Sequence, residues 1–268
     1  MTDKQRVRDF WNQAPCGEIY AQGDQLPDRL EAQARARYRL EPYLPEFARF
    51  AEGCGRDVLE LGVGMGADHL EWARSRPRSL TGIDLTPKAV AYTKERLRFV
   101  GLASRLLVAD VERLPLPGQA FDLVYSWGVI HHSPDTPAAA LEIRRVLRPG
   151  GQARVMIYHR HSLVGYMLWL RYGLLAGRPR LGLREAYARH LESPGTKAYS
   201  PEEARKLFAG FSEVRVRTLL SPGDLLQGAV GERHRSFLLT AAKALYPRWA
   251  VRRLLTQHGL YLLIEATK

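Results

Sequence analysis

The stretch "DVLELGVGMGADHLEWA", Asp57 to Ala73, passes from an apolar alternating run through three glycines in five residues into a helix-like pattern. A glycine-rich bend between a strand and a helix removes the Cβ atoms that keep a ligand off the backbone, and it aims the first helical N–H groups at that ligand. Such a unit is one part of a larger sheet. Four further strand signals, "SLTGIDL", "SRLLVAD", "FDLVYS" and "GQARVMIY", end near Leu85, Asp110, Ser126 and Tyr158, with helical patterns between them. Strands alternating with helices build a mostly parallel sheet covered on both faces. "EVRVRTLL" and the terminal "LYLLIEATK" supply a sixth and a seventh strand. The fold class read from this pattern is a doubly wound, Rossmann-like α/β sheet of seven strands.

Helix starts are marked by oxygen-bearing caps before prolines: Thr86 before Pro87, Thr136 before Pro137 and Ser200 before Pro201, the last with Glu203 in capping-box position. Three segments fall outside the regular count: residues 1–50, about 160–197 and about 221–259. They read as an N-terminal helical cap and two cap insertions in a main domain of 51–268. Ligands of open α/β sheets bind beyond the carboxyl ends of the strands, and the second segment leaves from the end of the fifth strand. It is expected to lie over the site.

At 268 residues and 46% hydrophobic, the chain suits one large domain with appendages. Its two cysteines, Cys16 and Cys54, form no CxxC pair, so the sequence implies neither a disulfide framework nor a zinc cluster, and a reducing cytoplasm is the expected location. The apolar stretch "SLVGYMLWLRYGLLAG" is short and carries Arg171, so no membrane span is expected. The net charge of +12 is largely arginine, spread along the chain. It fits a nucleic-acid surface, an anionic substrate, or a compositional preference for arginine, and no nucleic-acid module accompanies it. Nucleic acid is therefore the disfavoured partner.

"GVGMGA" fits the dinucleotide fingerprint, with Gly62, Gly64 and Ala67 in the small positions, so an NAD enzyme is one reading. The acids argue for more. Glu60 precedes the glycines, Asp84 ends the second strand where a carboxylate reaches ribose hydroxyls, and Asp110 ends the third.

With "VLELGVGMG", "TGIDLTPKAV", "VADVERLPLPGQAFDLVYSWGVIHH" and "RRVLRPGG" in that order, residues 50–158 resemble the class I S-adenosylmethionine-dependent methyltransferases, particularly the UbiE-type small-molecule group. The resemblance implies that Gly62, Gly64 and Gly66 face the methionine part of S-adenosyl-L-methionine. It places Asp84 with Leu85 at the ribose and Asp110 with Val111 at the adenine, and Glu60 and Ser126 complete the expected cofactor set. It also implies that the last two strands form an antiparallel terminal hairpin. The implied activity is methyl transfer to an oxygen, nitrogen or carbon of a small molecule, either anionic or apolar. An RNA-modifying methyltransferase and a non-catalytic cofactor-binding protein remain as alternatives.

Two histidine clusters follow neighbouring strands: His131 and His132 in "SWGVIHHSPDTP", and His159 with His161 in "MIYHRHSL". They are expected to face one crevice. One of His131 and His132 is expected to be the general base, with His131 favoured as the deeper. His159, Arg160, Tyr20 and Trp11 are assigned to the acceptor. Neighbouring histidines on irregular backbone fit many arrangements, and no metal ligand set is assigned.

Overall fold

The computed structural model describes residues 1–227 and 246–268. Its sheet comprises β1 (Asp57–Leu61), β2 (Ser79–Asp84), β3 (Arg105–Val108), β4 (Phe121–Trp127), β5 (Leu147–Tyr158), β6 (Glu213–Leu219) and β7 (Tyr261–Thr267). The spatial order is β3-β2-β1-β4-β5-β7-β6. The first five strands pair in parallel, and β7 runs antiparallel to both β5 and β6, so the terminal hairpin is present. The order of strands reverses between β1 and β4, which opens a crevice at their carboxyl ends.

Alternation along the strands divides the core. Leu59, Val124, Val155 and Ile264 pack in one buried cluster, while their chain neighbours Val58, Leu123, Met156 and Leu263 pack in the other. Burying each such side chain contributes roughly 1.5–3 kcal/mol, so a one-residue slip of register would be heavily penalised. Helices cover both faces: α1 (Asp3–Gln13), α2 (Leu26–Leu40), α3 (Leu44–Ala48), α4 (Ala67–Arg74), α5 (Pro87–Phe99), α6 (Thr136–Val146), α7 (Leu163–Trp169), α8 (Leu183–His190), α9 (Pro201–Leu207) and α10 (Arg248–Leu254). The expected caps hold at Thr86, whose hydroxyl accepts from the Ala89 N–H, and at Ser200, which forms a full capping box with Glu203.

Three boundaries differ from the sequence reading. β3 stops at Val108 because Asp110 folds back, its Oδ1 accepting from the Glu112 N–H at 2.9 Å. The cap of α6 is Asp135, whose carboxylate accepts from the Ala138 N–H, and Thr136 is the first helical residue. β5 begins at Leu147, four residues before "GQARVMIY", because Leu147 still pairs with Phe121 across a register shift. Of the 221–259 segment, residues 228–245 lie outside the described residues.

Candidate functional site

β1 delivers Glu60 and then breaks into a turn whose three glycines, at φ of 77°, 52° and 77°, all adopt the left-handed conformation. A Cβ on Gly62 would lie 2.1 Å from Val129, and one on Gly66 would lie 2.9 Å from the Thr93 backbone. Those two glycines are therefore set by packing. A Cβ on Gly64 would meet nothing within 4 Å, and that residue borders the cavity. Arg96 of α5 braces the turn from behind: its guanidinium donates to Met65 O at 2.7 Å, and to Leu30 O and Gln33 Oε1 on α2 at 2.8 Å each.

The cavity occupies about 1360 Å³, counting the solvent space at its mouth. Its floor is the glycine turn with Glu60, Asp84, Leu85, Asp110 and Val111. Asp84 is fixed by its surroundings: Oδ2 accepts from the Gly64 N–H at 3.1 Å, and Oδ1 accepts from the Thr86 N–H and hydroxyl at 2.9 Å each. Burial raises its pKa above the ordinary carboxylate value, and these donors work against the rise. Glu60 Oε2 lies 2.8 Å from His69 Nδ1, and His69 Nε2 lies 2.8 Å from Ser104 Oγ. Burial raises the pKa of Glu60 well above the ordinary carboxylate value and lowers that of His69 to about 3. Asp110 is bridged by Lys4, which also contacts Glu112 at 2.5 Å and thereby ties α1 across the mouth.

The opposite wall comes from elements far apart in sequence: Trp11, Arg37, Glu41, Trp127, Met156, Tyr158, Glu192 and Tyr261. Asp68 accepts from Arg37 at 2.8 and 2.5 Å, from Tyr38 at 3.1 Å and from Tyr125 at 2.9 Å. Tyr261 donates to Glu41 at 2.7 Å, and Arg37 lies 3.3 Å from the same carboxylate. The sequence reading missed this network, because its members carry no local motif and meet only across the folded chain.

Of the two adjacent histidines, His132 lines the cavity. Its Nδ1 lies 2.9 Å from Ser193 Oγ and 3.1 Å from Thr196 Oγ1, and its Nε2 lies 3.3 Å from Glu192. Thr196 gives its own hydroxyl proton to Ser193 O at 2.7 Å, which leaves its oxygen to accept from His132 Nδ1–H. Ser193 and Thr196 hydroxyls thus face Nδ1, and the acceptor-only Glu192 carboxylate faces Nε2. Tyr158 donates to Glu192 at 2.8 Å, and the Trp11 ring meets His132 edge-on at 5.1 Å.

His131 does not reach the cavity wall. It is fully buried between the rings of His132 and Tyr158, at 4.2 and 4.0 Å, and both ring nitrogens lack a partner. Burial holds its pKa well below the usual imidazole value, and it is His132, not the expected His131, that borders the cavity. Ser126 and His159 face away from the cavity for one reason. Side chains alternate along a strand, so Trp127, Met156 and Tyr158 point in while their neighbours point out. Ser126 is buried with its hydroxyl unpartnered, and His159 Nδ1 bonds Gly259 O at 3.0 Å, its pKa lowered by burial to about 4. Arg160 is drawn off by an ion pair with Glu203. Tyr20 sits in a short 3₁₀ turn, Glu18–Tyr20, off the wall, whereas Trp11 is on it.

Among the described residues one set of metal-donor side chains converges, His131, His132 and Glu192, with donor atoms within 4.8 Å of one another. Ser193 and Thr196 face Nδ1 of His132 and Glu192 faces its Nε2, while both ring nitrogens of His131 lack a partner.

Residues 59–155 match the family model described as a methyltransferase domain. Similar curated proteins include malonyl-[acyl-carrier protein] O-methyltransferase of Serratia marcescens, 36% identical over 97 residues, 36% of each chain. Another is 27-O-demethylrifamycin SV methyltransferase of Amycolatopsis mediterranei (strain S699), 32% identical over 46% of this chain and 43% of that one. The match spans less than half the length of these relatives. Among solved structures, the phosphoethanolamine N-methyltransferase 2 of Haemonchus contortus in complex with S-adenosyl-L-methionine superposes with a TM-score of 0.61, at 18% identity over 98% of this chain and 60% of that one. The [4+2]-cyclase SpnF superposes at 0.56, with 19% identity over 100% of this chain and 96% of that one, so the fold by itself does not name a reaction. A S-adenosylmethionine-dependent methyltransferase from Aquifex aeolicus superposes at 0.52, with 16% identity over 92% of this chain and 99% of that one. Residues 59–155 therefore match a methyltransferase domain model, within a seven-stranded sheet that these methyltransferase structures share.

Proposed function

We propose that this protein transfers the methyl group of S-adenosyl-L-methionine to an O–H or N–H group of a small, uncharged and largely apolar acceptor. The observation that supports the reading is that Asp84, the open Gly64 turn and His132 line one cavity. Asp84 is held by Gly64 and Thr86 with its carboxylate on the cavity floor, suited to accept from two ribose hydroxyls. Gly64 would let the methionine part approach the backbone, and Asp110 and Val111, which also line the cavity, would hold the adenine. A bound sulfonium supplies an already activated methyl, so the residues of this chain have three tasks: align the acceptor, exclude water, and take up one proton.

His132 is the group for the proton. His132 would take the proton of the acceptor O–H or N–H at a ring nitrogen, and a bound S-adenosyl-L-methionine would supply the methyl, with its thioether as the leaving group. Glu192, 3.3 Å from Nε2, stabilises the imidazolium that results. The acceptor class follows from the charges on the wall. Lys4 is engaged by Asp110 and Glu112, and Arg37 by Asp68 and Glu41, while Trp11, Trp127, Tyr158 and Tyr261 present ring faces and edges. An anionic acceptor would meet more carboxylates than cations. The test is transfer of isotopically labelled methyl from S-adenosyl-L-methionine to a panel of uncharged alcohols, phenols and amines with apolar bodies. Labelled product that depends on His132 supports the reading; binding of the cofactor with no transfer to any member, or a preference for carboxylate acceptors, contradicts it.

A further inference from the structure

The methyl-transfer reading leaves two features unused: the arginine excess and a set of exposed apolar side chains. They coincide. Residues 163–184 contain four arginines and residues 246–258 contain three, with no Asp or Glu in either segment, so together they contribute +7 of the net +12. Although basic residues occur along the whole chain, these two segments lack balancing acids, and they adjoin in the fold. Leu163 and Val251 belong to one apolar cluster with Leu220 and Leu225, Tyr166 meets His258 at 5.9 Å between rings, and His258 Nδ1 bonds His161 O at 3.0 Å.

On α7 and the π-helical turn Leu170–Leu174 that continues it, Tyr166, Leu170 and Leu174 recur every four residues and are 39–49% exposed, with Leu175 at 76% beyond them. On α10, Val251 is buried while Trp249 is 75% and Leu254 66% exposed, and Arg252 and Arg253 share the outer side. Large apolar groups held in water by a cap are an unfavourable arrangement for a free surface.

We propose that this face of the cap, α7 with its π-helical extension and α10, docks on an anionic lipid bilayer surface. A tryptophan and several leucines flanked by arginines, in helices too short to span, match a segment lying in the interfacial plane with its apolar side chains immersed. The arginines complement phosphate headgroups. Nucleic acid shares that charge but gives the leucines and Trp249 nothing apolar to enter, so the apolar stripe decides for lipid. No described helix is long and apolar enough to cross a membrane, which leaves surface docking as the mode. The inference is independent of which acceptor is methylated.

The test is co-sedimentation of the full chain with vesicles of phosphatidylcholine mixed with phosphatidylglycerol, against phosphatidylcholine alone, at low and high salt. Binding to the anionic vesicles, falling with salt, is expected. Each arginine near such a surface is worth about fivefold in partitioning, so Arg252→Glu with Arg253→Glu should weaken binding by at least ~25-fold. Trp249→Ala should weaken it independently, and its emission should shift to the blue in the wild type. Unchanged circular dichroism and unchanged binding of S-adenosyl-homocysteine establish that the variants are folded. Wild-type protein remaining in the supernatant, binding that survives all three substitutions, or salt-dependent binding of transfer RNA with none to vesicles would each overturn the proposal.

Discussion

Replacing His132 tests the chemistry at its most exposed point. A general base typically contributes about 10²–10⁴ in turnover, which corresponds to roughly 3–5 kcal/mol of barrier. The structure separates that loss from a structural one. His132→Ala also removes the hydrogen bonds to Ser193 and Thr196, together worth about 1–3 kcal/mol of stability, so a melting shift is expected in addition. His132→Gln fills most of the volume and can still donate to Thr196, yet it cannot take up a proton. Both variants should bind S-adenosyl-homocysteine as the wild type does, because the floor residues are untouched, and both should lose at least about a hundredfold in turnover. The assay is single-turnover methyl transfer as a function of pH. The wild-type profile is set against that of His132→Gln, which has no group there to take up a proton. A His132→Gln enzyme within about threefold of wild type would refute the base and leave alignment alone as the source of rate.

Three further outcomes follow from neighbouring groups. His131 is buried with both nitrogens unpartnered, so His131→Leu should keep turnover near that of the wild type and leave stability equal or higher in urea unfolding; a large loss of turnover with an unchanged melt would return the base to His131. Arg96→Met should destabilise by about 2–4 kcal/mol, since Met65 O, Leu30 O and Gln33 lose their donor, and a urea midpoint indistinguishable from wild type would contradict the bracing role. Burial raises the pKa of Glu60 well above the ordinary carboxylate value, and a cationic group of a ligand bound beside it would favour the carboxylate. Cofactor binding at acidic to neutral pH should therefore release a proton and tighten as pH rises, levelling off above the pKa of Glu60 in the free protein. Calorimetry in two buffers of different ionisation enthalpy reads the proton directly, and proton uptake would reverse the assignment.

The sheet was legible because its signals are local. Glycine turns, proline-flanked caps and strand alternation each occupy fewer than about ten residues, and the antiparallel terminal hairpin follows from the class I resemblance. The floor of the cavity was legible on the same terms: Glu60, the glycines, Asp84 and Asp110 sit at the ends of successive strands. The far wall was not. Arg37, Glu41, Glu192 and Tyr261 come from α2, its end, the segment after α8 and β7, and only the folded chain brings them together. Where neighbours compete, the sequence lacks the phase. His131 and His132 differ by one step along a 3₁₀ turn, and Tyr158 and His159 by one step along a strand, and one step exchanges cavity for interior. The depth that made His131 attractive in the sequence is what removes it from the cavity.

The most direct test of the account is a calorimetric titration of the protein with S-adenosyl-homocysteine and with NADH, repeated on Asp84→Ala. The account predicts saturable binding of the former and none of the latter. Asp84→Ala loses charge-assisted acceptance from ribose and weakens that binding by about tenfold to a hundredfold, or roughly 1.5–3 kcal/mol. Tight NADH binding with no heat from the sulfonium product, or an Asp84→Ala protein that binds as the wild type does, would contradict it.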